Sequence, residues 1–441
     1  MSSEWQIQRL DQIADLNPTR KVRKGSAVSF VDMAALPQFS RDIGVDDVVV
    51  REAKGAGAHF KNGDTLLARI TPCLENGKTA QVRCLDGDAI AEGSTEFIVL
   101  CGKDPADHDY IYYLCREPAF RDYAISLMEG TSGRQRVSWR SIAAYEFAFP
   151  PPDERRETAG LLATLDDRIT LLRQTNATLE AIAQALFKSW FVDFDPVRAK
   201  MEGRTPEGMD EATAALFPDG FETSEWGQVP REWRAETLGS VCSYLNRGLS
   251  PKYLETGGVL VLNQKCIRDF SVDFSKGRRH DASQRKIQGR ELAVGDVLVN
   301  STGVGTLGRV SQVLYLPEPI IVDSHVTVVR AGKDLSWPYL GEFIARKQPE
   351  IEAMGEGSTG QTELGRAKLA SLPIVVPPIE VVTGFDELVR PLKQRVAANE
   401  RNAQTLSTLR DTLLPRLVSG QLRLSQARVA TEIARGDSLQ A

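Results

Sequence analysis

The sequence has little of what disulfide, metal or membrane structure requires. Six cysteines occur among 441 residues and none forms a CxxC pair, so we interpret them as reduced thiols rather than a disulfide framework. Four histidines are scattered without the spacing of a zinc site. No apolar run approaches the ~18 residues that cross a bilayer, and the N-terminal residues lack a secretory signal pattern. We therefore expect a cytoplasmic protein with no membrane contact and no bound metal.

An excess of positive charge is also missing, because the net charge is −5. The basic residues are nevertheless clustered. One cluster consists of Arg20, Lys21, Arg23 and Lys24. A larger one, the 265–290 patch, consists of Lys265, Arg268, Lys276, Arg278, Arg279, Arg285, Lys286 and Arg290. Whole-chain charge governs solubility, whereas a phosphate backbone responds to local patches of this kind.

Motifs that would indicate catalysis are incomplete. Residues 303–308 match GxGxxG, but a dinucleotide site also needs a helix opening at the third glycine and a carboxylate about 20 residues later. We interpret this segment as a turn. Residues 76–79 resemble the end of a phosphate loop, but Pro72 stands where the first glycine must be. We expect no catalytic residue in this chain.

What the sequence does contain is a duplication. Gly63-Asp64 recurs as Gly295-Asp296, and the glycine-rich segment 130–133 recurs as 357–360. Pro150-Pro151 recurs as Pro377-Pro378. In each half, short strand-like runs, such as 65–70, are bounded by Gly, Asp and Pro and are interrupted by short helices, such as 338–346. This pattern predicts an α+β fold with two tandem α/β domains.

A long helical stretch with leucines at seven-residue spacing follows each proline pair, which predicts a coiled coil. The first helix leads from one domain to the other, so the second must run back to bury its apolar seam. We therefore expect an antiparallel pair that separates two domains related by a pseudo-two-fold axis. Asn176 and Asn399 fall in the seam and either fix the register or lie at frayed, wet positions. The predicted core residues are Leu165, Ile169, Leu172, Asn176, Leu179, Leu186, Leu392, Val396, Leu406 and Leu413.

These features divide the chain into six predicted segments. They are a first domain at 1–152, a first helical region at 153–198, an acidic connector at 199–231, a second domain at 232–379, a second helical region at 380–424, and a tail at 425–441 without an assigned role.

Polar residues that suit phosphates or base edges occupy similar places in the two domains. They lie in the glycine-rich loops, in the basic clusters, and at two strand ends, 69–71 and 300–302. The alternative is that these are ordinary turns, caps and solvated charges. The candidate DNA-contacting residues are Arg20, Lys21, Arg23, Lys24, Arg69, Thr71, Lys78, Arg134, Gln135, Arg136, Lys265, Arg268, Arg278, Arg279, Asn300, Ser301, Thr302, Gln361 and Thr362.

Four segments carry a resemblance to a known family. They are Lys188-Ser-Trp-Phe-Val-Asp-Phe-Asp-Pro at the end of the first helix, Leu216-Phe-Pro-Asp-Gly-Phe, residues 224–233, and Leu413-Leu-Pro-Arg-Leu-Val-Ser-Gly-Gln-Leu. With these motifs the chain resembles the specificity subunit of type I DNA restriction–modification enzymes. The resemblance covers nearly the whole chain, and its helical and connector motifs are highly specific.

The resemblance implies a non-catalytic subunit that binds double-stranded DNA at a bipartite sequence, one half-site for each target-recognition domain. The helices would act as a spacer. The implied partners are two methylation subunits, which transfer methyl groups from S-adenosylmethionine to adenine N6, and two restriction subunits, which use ATP and Mg²⁺. No cofactor is expected on this chain. The alternative is a coiled-coil scaffold whose domains bind proteins, and the salt dependence of DNA binding would distinguish the two.

Overall fold

Each of the two sequence repeats corresponds to a similar set of strands and helices. The computed structural model describes residues 5–131, 133–356 and 362–422. The chain divides into two units, which are Met1–Arg173 with Glu400–Ala441, and Gln174–Asn399. We call these the first unit and the second unit, and each is described by itself.

In the first unit a series of short strands precedes short helices and a last strand. The strands are β1 (Gln6–Arg9), β2 (Ala14–Leu16), β3 (Ala27–Val31), β4 (Val49–Glu52), β5 (Ala58–Phe60), β6 (Thr65–Ala68), β7 (Thr79–Gln81), β8 (Ala91–Gly93), β9 (Phe97–Gly102) and β10 (Glu146–Phe149). The helices are α1 (His108–Arg116), α2 (Pro118–Ser126), α3 (Trp139–Ala143) and α4 (Pro152–Phe191), which ends in the second unit.

Strand β6 lies at the centre of the first unit. It belongs to an antiparallel sheet of order β2-β9-β6-β7, and a second sheet has the order β4-β3-β8-β5, with β3 and β8 parallel. Every residue of β6 is buried. Because side chains alternate along a strand, Leu66 and Ala68 pack in one hydrophobic cluster and Leu67 packs in another. Both faces of β6 are therefore covered.

The second unit contains the following elements in addition to the end of α4. Its helices are α5 (Asp195–Met201), α6 (Glu211–Ala215), α7 (Leu238–Val241), α8 (Trp337–Ala353), α9 (Arg366–Ala370) and α10 (Ile379–Val418), which ends in the first unit. Its strands are β11 (Phe221–Ser224), β12 (Gly227–Pro230), β13 (Arg234–Thr237), β14 (Cys242–Arg247), β15 (Tyr253–Leu254), β16 (Val259–Leu262), β17 (Ile267–Arg268), β18 (Ser271–Val272), β19 (Arg278–His280), β20 (Val297–Asn300), β21 (Val310–Gln312), β22 (Ile320–Val322), β23 (Val326–Ala331) and β24 (Pro373–Val376).

One four-stranded sheet of the second unit repeats a sheet of the first, and the other shares only its parallel pair. The order β14-β23-β20-β21 corresponds to β2-β9-β6-β7, and β15-β19-β16-β22 again contains a parallel pair, β16 with β22. The central strand β20 is fully buried, with Val297 and Val299 in one cluster and Leu298 in another. The first and last strands of each repeat also pair, β1 with β10 and β13 with β24. The predicted duplication and the α+β class are confirmed.

The long helices α4 and α10 run antiparallel within each unit, as predicted. In the first unit Asp166 pairs with Arg410, while Ile169 and Leu172 further along α4 pack with Ala403. Residue numbers rise along one helix as they fall along the other. The second unit shows the same order, because Asn176 bonds Asn399 and the later Phe187 contacts Phe385.

The seam positions predicted from the heptads face inward to different degrees. Leu165, Ile169, Leu172, Val396 and Leu413 are buried, whereas Asn176, Leu179, Leu186, Leu392 and Leu406 are half-buried. Asn399 is buried and Asn176 lies within hydrogen-bonding distance of it, which favours a role in register over a frayed position. In the part of the chain that the structure describes, no helix is both long and apolar enough to span a membrane.

Three predicted elements differ from the structure. The strand predicted for 65–70 ends at Ala68, since Ile70 forms only a single bridge to Arg136. The helix predicted for 338–346 continues to Ala353 through Pro349. The acidic connector contains regular structure, namely α6 and the β11–β12 hairpin, and its Phe217 packs against Trp190. The acidic, Gly- and Pro-rich composition of the connector gave no indication of this small core.

Candidate nucleic-acid interface

In the first unit the glycine-rich loop and the strand end are hydrogen-bonded to each other. The N–H of Val137 donates to the Arg69 carbonyl at 2.9 Å, and the N–H of Thr71 donates to the Gln135 carbonyl at 3.0 Å. Glu129 and Arg136 exchange backbone hydrogen bonds, so the glycine-rich loop begins and ends at a hairpin-like pair of residues. Gly130 has φ of +131°, which an L side chain rarely adopts.

The second unit repeats this arrangement at the matching positions. Glu356 and Glu363 exchange backbone hydrogen bonds, and the N–H of Leu364 donates to the Ser301 carbonyl at 2.8 Å. Thr302 bridges to Glu363 as Ile70 does to Arg136. The tip of this loop, including Gln361, lies outside the described residues. In both units the central strand therefore ends beside the loop that precedes the last strand.

This geometry corrects the alignment of the two strand ends by one residue. The predicted strand ends, 69–71 and 300–302, pair Arg69 with Asn300, but the equivalent backbone bonds pair Arg69 with Ser301. The last residues of the central strands, Ala68 and Asn300, correspond instead. The turn that follows is one residue shorter in the second unit. Residues 304–308 form a turn, which confirms the reading of the GxGxxG segment.

Several predicted DNA-contacting side chains are bound to other parts of their own unit. Arg20 donates to the fully buried carboxylate of Asp64, with Nη2 to Oδ1 at 2.9 Å. The remaining members of this group are Arg136 with Glu96 at 2.7 Å, Arg279 with Glu318 at 2.7 Å, and Lys78 with the Met33 carbonyl at 2.6 Å. Pairing with a carboxylate neutralises the local charge, so the three arginines are weaker phosphate contacts than the sequence indicates.

Two predicted residues lie in the interior of the second unit. The Asn300 side chain is fully buried and donates to the Gln264 carbonyl at 3.2 Å. Ser301 is equally buried, with its hydroxyl 2.5 Å from that of Thr327. Neither side chain reaches the surface, because Asn300 ends a strand whose two faces are covered and Ser301 follows it directly. As DNA contacts both residues stay predictions, and their burial does not support them.

The remaining candidates are accessible. Lys21, Arg23, Lys24, Arg134, Lys265, Arg268 and Arg278 are exposed, and Arg69, Thr71, Gln135, Thr302 and Thr362 are half-buried. Arg278 stacks on the Tyr253 ring at 3.4 Å from the ring centroid. The Thr302 hydroxyl lies 2.8 Å from Nδ1 of His325. Exposed cations beside hydroxyl and amide groups suit a phosphate backbone and base edges.

Sequence reasoning missed Tyr253 and His325, which the fold brings to Arg278 and Thr302. Both are separated from their partners by more than 20 residues, so no local pattern could indicate them. Val304 was also missed, although it is 77% exposed at the turn beyond Thr302. The position of this valine between two glycines could have indicated an exposed apolar side chain at a turn, of the kind that can contact a base.

A cleft of about 380 Å³ opens in the first unit beside the end of β6. Side chains that line it are those of Asn17, Thr19, Arg20, His59, Arg69 and Thr95. Because Arg20 is paired with Asp64, Arg69 is the residue that gives this group its positive charge. The cleft therefore combines one guanidinium with neutral polar groups.

Burial determines the protonation state of several thiols in both units. Burial raises the pKa of Cys266 to about 11 and that of Cys242 to about 12, so both thiols are protonated near neutral pH. Burial also raises the pKa of Cys84 and Cys101. Among the residues placed by the structure, no group of three or more His, Cys, Asp or Glu side chains could hold a metal ion.

The fold and these paired strand ends define a tandemly duplicated α+β protein with one candidate binding surface in each unit. No family model matches the sequence. The chain is 30% identical to the specificity subunit of type I restriction enzyme EcoEI from Escherichia coli, over 93% of this chain and 82% of that protein. It is 26% identical to the HindI specificity subunit from Haemophilus influenzae, over 82% and 87% of the two chains.

A solved structure agrees at the level of the fold. The S subunit of a type I restriction–modification system from M. genitalium superposes with a TM-score of 0.55, covering 95% of this chain and 97% of that chain at 15% identity. On the extent of the similarity to the EcoEI subunit, the chain belongs to the family of type I restriction enzyme specificity subunits.

Proposed function

We propose that this specificity subunit reads a bipartite DNA sequence, with one half-site bound by each unit. The observation that carries the proposal is the repeated hydrogen bond between strand end and loop, Val137 to Arg69 in the first unit and Leu364 to Ser301 in the second. The backbone arrangement is the same while the side chains differ. Two copies of one scaffold with unlike side chains suit the recognition of two unlike half-sites.

The exposed cations support contacts to the phosphate backbone. Lys21, Arg23 and Lys24 are exposed in the first unit, as are Lys265 and Arg268 in the second. Phosphate contacts by such residues release counterions, so affinity for DNA falls steeply as salt rises. The alternative, in which the units bind proteins rather than DNA, predicts no salt-sensitive binding to a duplex.

We further propose that the chain is the non-catalytic member of a larger complex. Its partners would be two methylation subunits and two restriction subunits. S-adenosylmethionine, ATP and Mg²⁺ would be bound by those partners rather than by this chain. Membership of the type I family supports this assignment. The contribution of this chain would be to hold the duplex in register while a partner extrudes the target base.

The long helices would set the gap between the half-sites. Each contains 40 residues and continues from one unit into the other. A helix of this length is about 60 Å long. Because both helices would have to lengthen together, a change of gap requires matched insertions in α4 and α10.

Selection from a pool of randomised duplexes tests the proposal. The full chain, purified with its methylation subunits, is expected to enrich two short conserved blocks separated by a constant number of unspecified base pairs. Matched insertions of helical turns within 165–186 of α4 and opposite them in α10 should change that number and leave both blocks intact. The same number of residues added near Gly289, in an exposed loop, is the control. A single continuous motif, or an unchanged gap, would contradict the proposal.

A further inference from the structure

Two arginines, Arg20 and Arg69, line the cleft of the first unit, and several arginines of this unit are matched by an acid. Arg20 pairs with Asp64. The two other matched pairs are Arg51 with Glu92 at 2.8 Å and Arg136 with Glu96 at 2.7 Å. These pairs hold the sheet and the loop in place, and each guanidinium has its acceptor inside the protein.

Arg69 differs from these arginines. Within the described residues no carboxylate pairs with its guanidinium, and its Nε is buried without a hydrogen-bond acceptor. A buried N–H group without an acceptor is costly and uncommon in native proteins. Arg69 also lines the cleft, so an acceptor that enters the cleft could pair with the two Nη groups of this guanidinium.

The backbone of Arg69 is held firmly where the central strand ends. Its N–H donates to the Glu96 carbonyl at 3.0 Å and its carbonyl accepts from Val137 at 2.9 Å. The side chain therefore starts from a fixed point between the central strand and the glycine-rich loop. A fixed starting point favours a directional contact over a loose electrostatic one.

The other groups of the cleft favour a base over a phosphate. Asn17, Thr19 and Thr95 bring amide and hydroxyl groups to the cleft, whereas Nδ1 of His59 is bonded to the Arg20 carbonyl. Arg20 is neutralised by Asp64. A phosphate site would bring several cations or N–H groups to one point. A single guanidinium fork suits the O6 and N7 acceptors of guanine, which it binds in bidentate fashion.

We propose that Arg69 is a specificity-determining residue that contacts a guanine in the half-site bound by the first unit. The inference rests on the proposed function, since it presumes that this unit binds DNA. No equivalent contact is expected in the second unit, because Ser301 occupies the matching position with its hydroxyl turned to Thr327.

The test is selection from randomised duplexes by the full chain in complex with its methylation subunits, using wild type, Arg69→Ala and Arg69→Lys. In wild type, one position of one block is expected to be guanine. Arg69→Ala should lose this preference by roughly 5- to 150-fold, the range for a bidentate base contact. Arg69→Lys keeps the charge but not the fork, so it should lose the preference while retaining the salt dependence of binding.

Arg140→Ala is the matched control, because Arg140 is an exposed arginine of α3 in the same unit and is not among the candidate DNA-contacting residues; this variant should still select the guanine. The block read by the second unit serves as an internal check that each variant is folded. A uniform loss of affinity with the motif unchanged would identify a phosphate contact and overturn the inference, as would an Arg69→Ala motif identical to wild type. If wild type selects no bipartite motif, the proposed function itself fails.

Discussion

The two units share a sheet order but differ in the residue that follows the central strand. In the first unit this residue is Arg69, which lines an open cleft. In the second it is Ser301, which is buried against Thr327. The backbone bonds on either side are equivalent. The comparison shows that the duplication preserved the scaffold of the strand end while its side-chain chemistry diverged.

The units differ in a similar way where the long helices join them. Asp166 of α4 accepts a hydrogen bond from Tyr113 of α1 at 2.7 Å and pairs with Arg410. At the equivalent position of α10, Lys393 pairs with Glu342 of α8 at 2.6 Å. A buried polar contact thus occurs at the same place in both units, with the sign of the helix charge reversed.

The largest expected effect comes from breaking these two buried pairs one at a time. Asp166→Ala leaves the buried Arg410 with Asp411 as its remaining carboxylate partner and removes the acceptor of Tyr113. Lys393→Ala leaves Glu342 buried without its cation. Each should lower the free energy of unfolding by about 3–5 kcal/mol, as is typical when one member of a buried ion pair is removed. Denaturant unfolding measures the loss.

The surface pair of Asp153 and Arg156 in α4 provides the control, since Asp153→Ala should cost no more than about 1 kcal/mol. Hydrogen exchange then sharpens the comparison. In Asp166→Ala the backbone amides of the first unit should lose protection first, and in Lys393→Ala those of the second unit. Equal loss of protection throughout the chain in both variants would show that each pair does not stabilise its own unit separately.

A smaller effect is expected from the asparagine pair of the second unit. Nδ2 of Asn399 donates to Oδ1 of Asn176 at 2.8 Å, whereas the first unit packs Ile169 and Leu172 against Ala403. Asn176→Leu leaves the buried Asn399 amide without its acceptor and should destabilise the chain by about 1–3 kcal/mol. Replacing both asparagines by leucine should recover most of this loss. Urea unfolding of the two single variants and the double variant measures the coupling free energy between the two asparagines. If the losses of the single variants simply add in the double variant, the two side chains do not stabilise each other.

The smallest effect concerns pH. Burial raises the pKa of Glu180 above its ordinary value of 4.5, Lys393 opposes the shift, and Glu342 adds to it. The folded state therefore binds the proton more tightly than the unfolded state, so stability is greatest below the ordinary pKa and declines as pH rises through the raised value. Glu180→Gln should flatten this decline in unfolding experiments across the acidic range. The equivalent Ser407 does not titrate, and Ser407→Ala should leave the profile unchanged.

Much of the fold could be predicted from repeated short motifs. Gly295-Asp296 marks the start of β20 as Gly63-Asp64 marks that of β6, and the proline pairs precede α4 and α10. These signals are local, so they survive the divergence of the surrounding sequence. The leucine spacing likewise predicted which faces of α4 and α10 are buried.

The candidate interface was harder to predict because its electrostatics depend on distant partners. Arg20 and Asp64 are 44 residues apart, and Arg279 and Glu318 are 39 apart. No sequence pattern reveals that such charges cancel. The burial of Asn300 and Ser301 was missed for a related reason, since a polar residue at a strand end signals a loop unless its hydrogen-bond partner is known.

Exchange of residues 232–378 for the corresponding segment of another family member tests the central claim most directly. The exchanged chain, in complex with its methylation subunits, would be compared with wild type by selection from randomised duplexes. We predict that one block of the enriched sequence is replaced. The block read through Arg69 and the number of base pairs between the blocks should stay the same. Replacement of both blocks, or of neither, would contradict it.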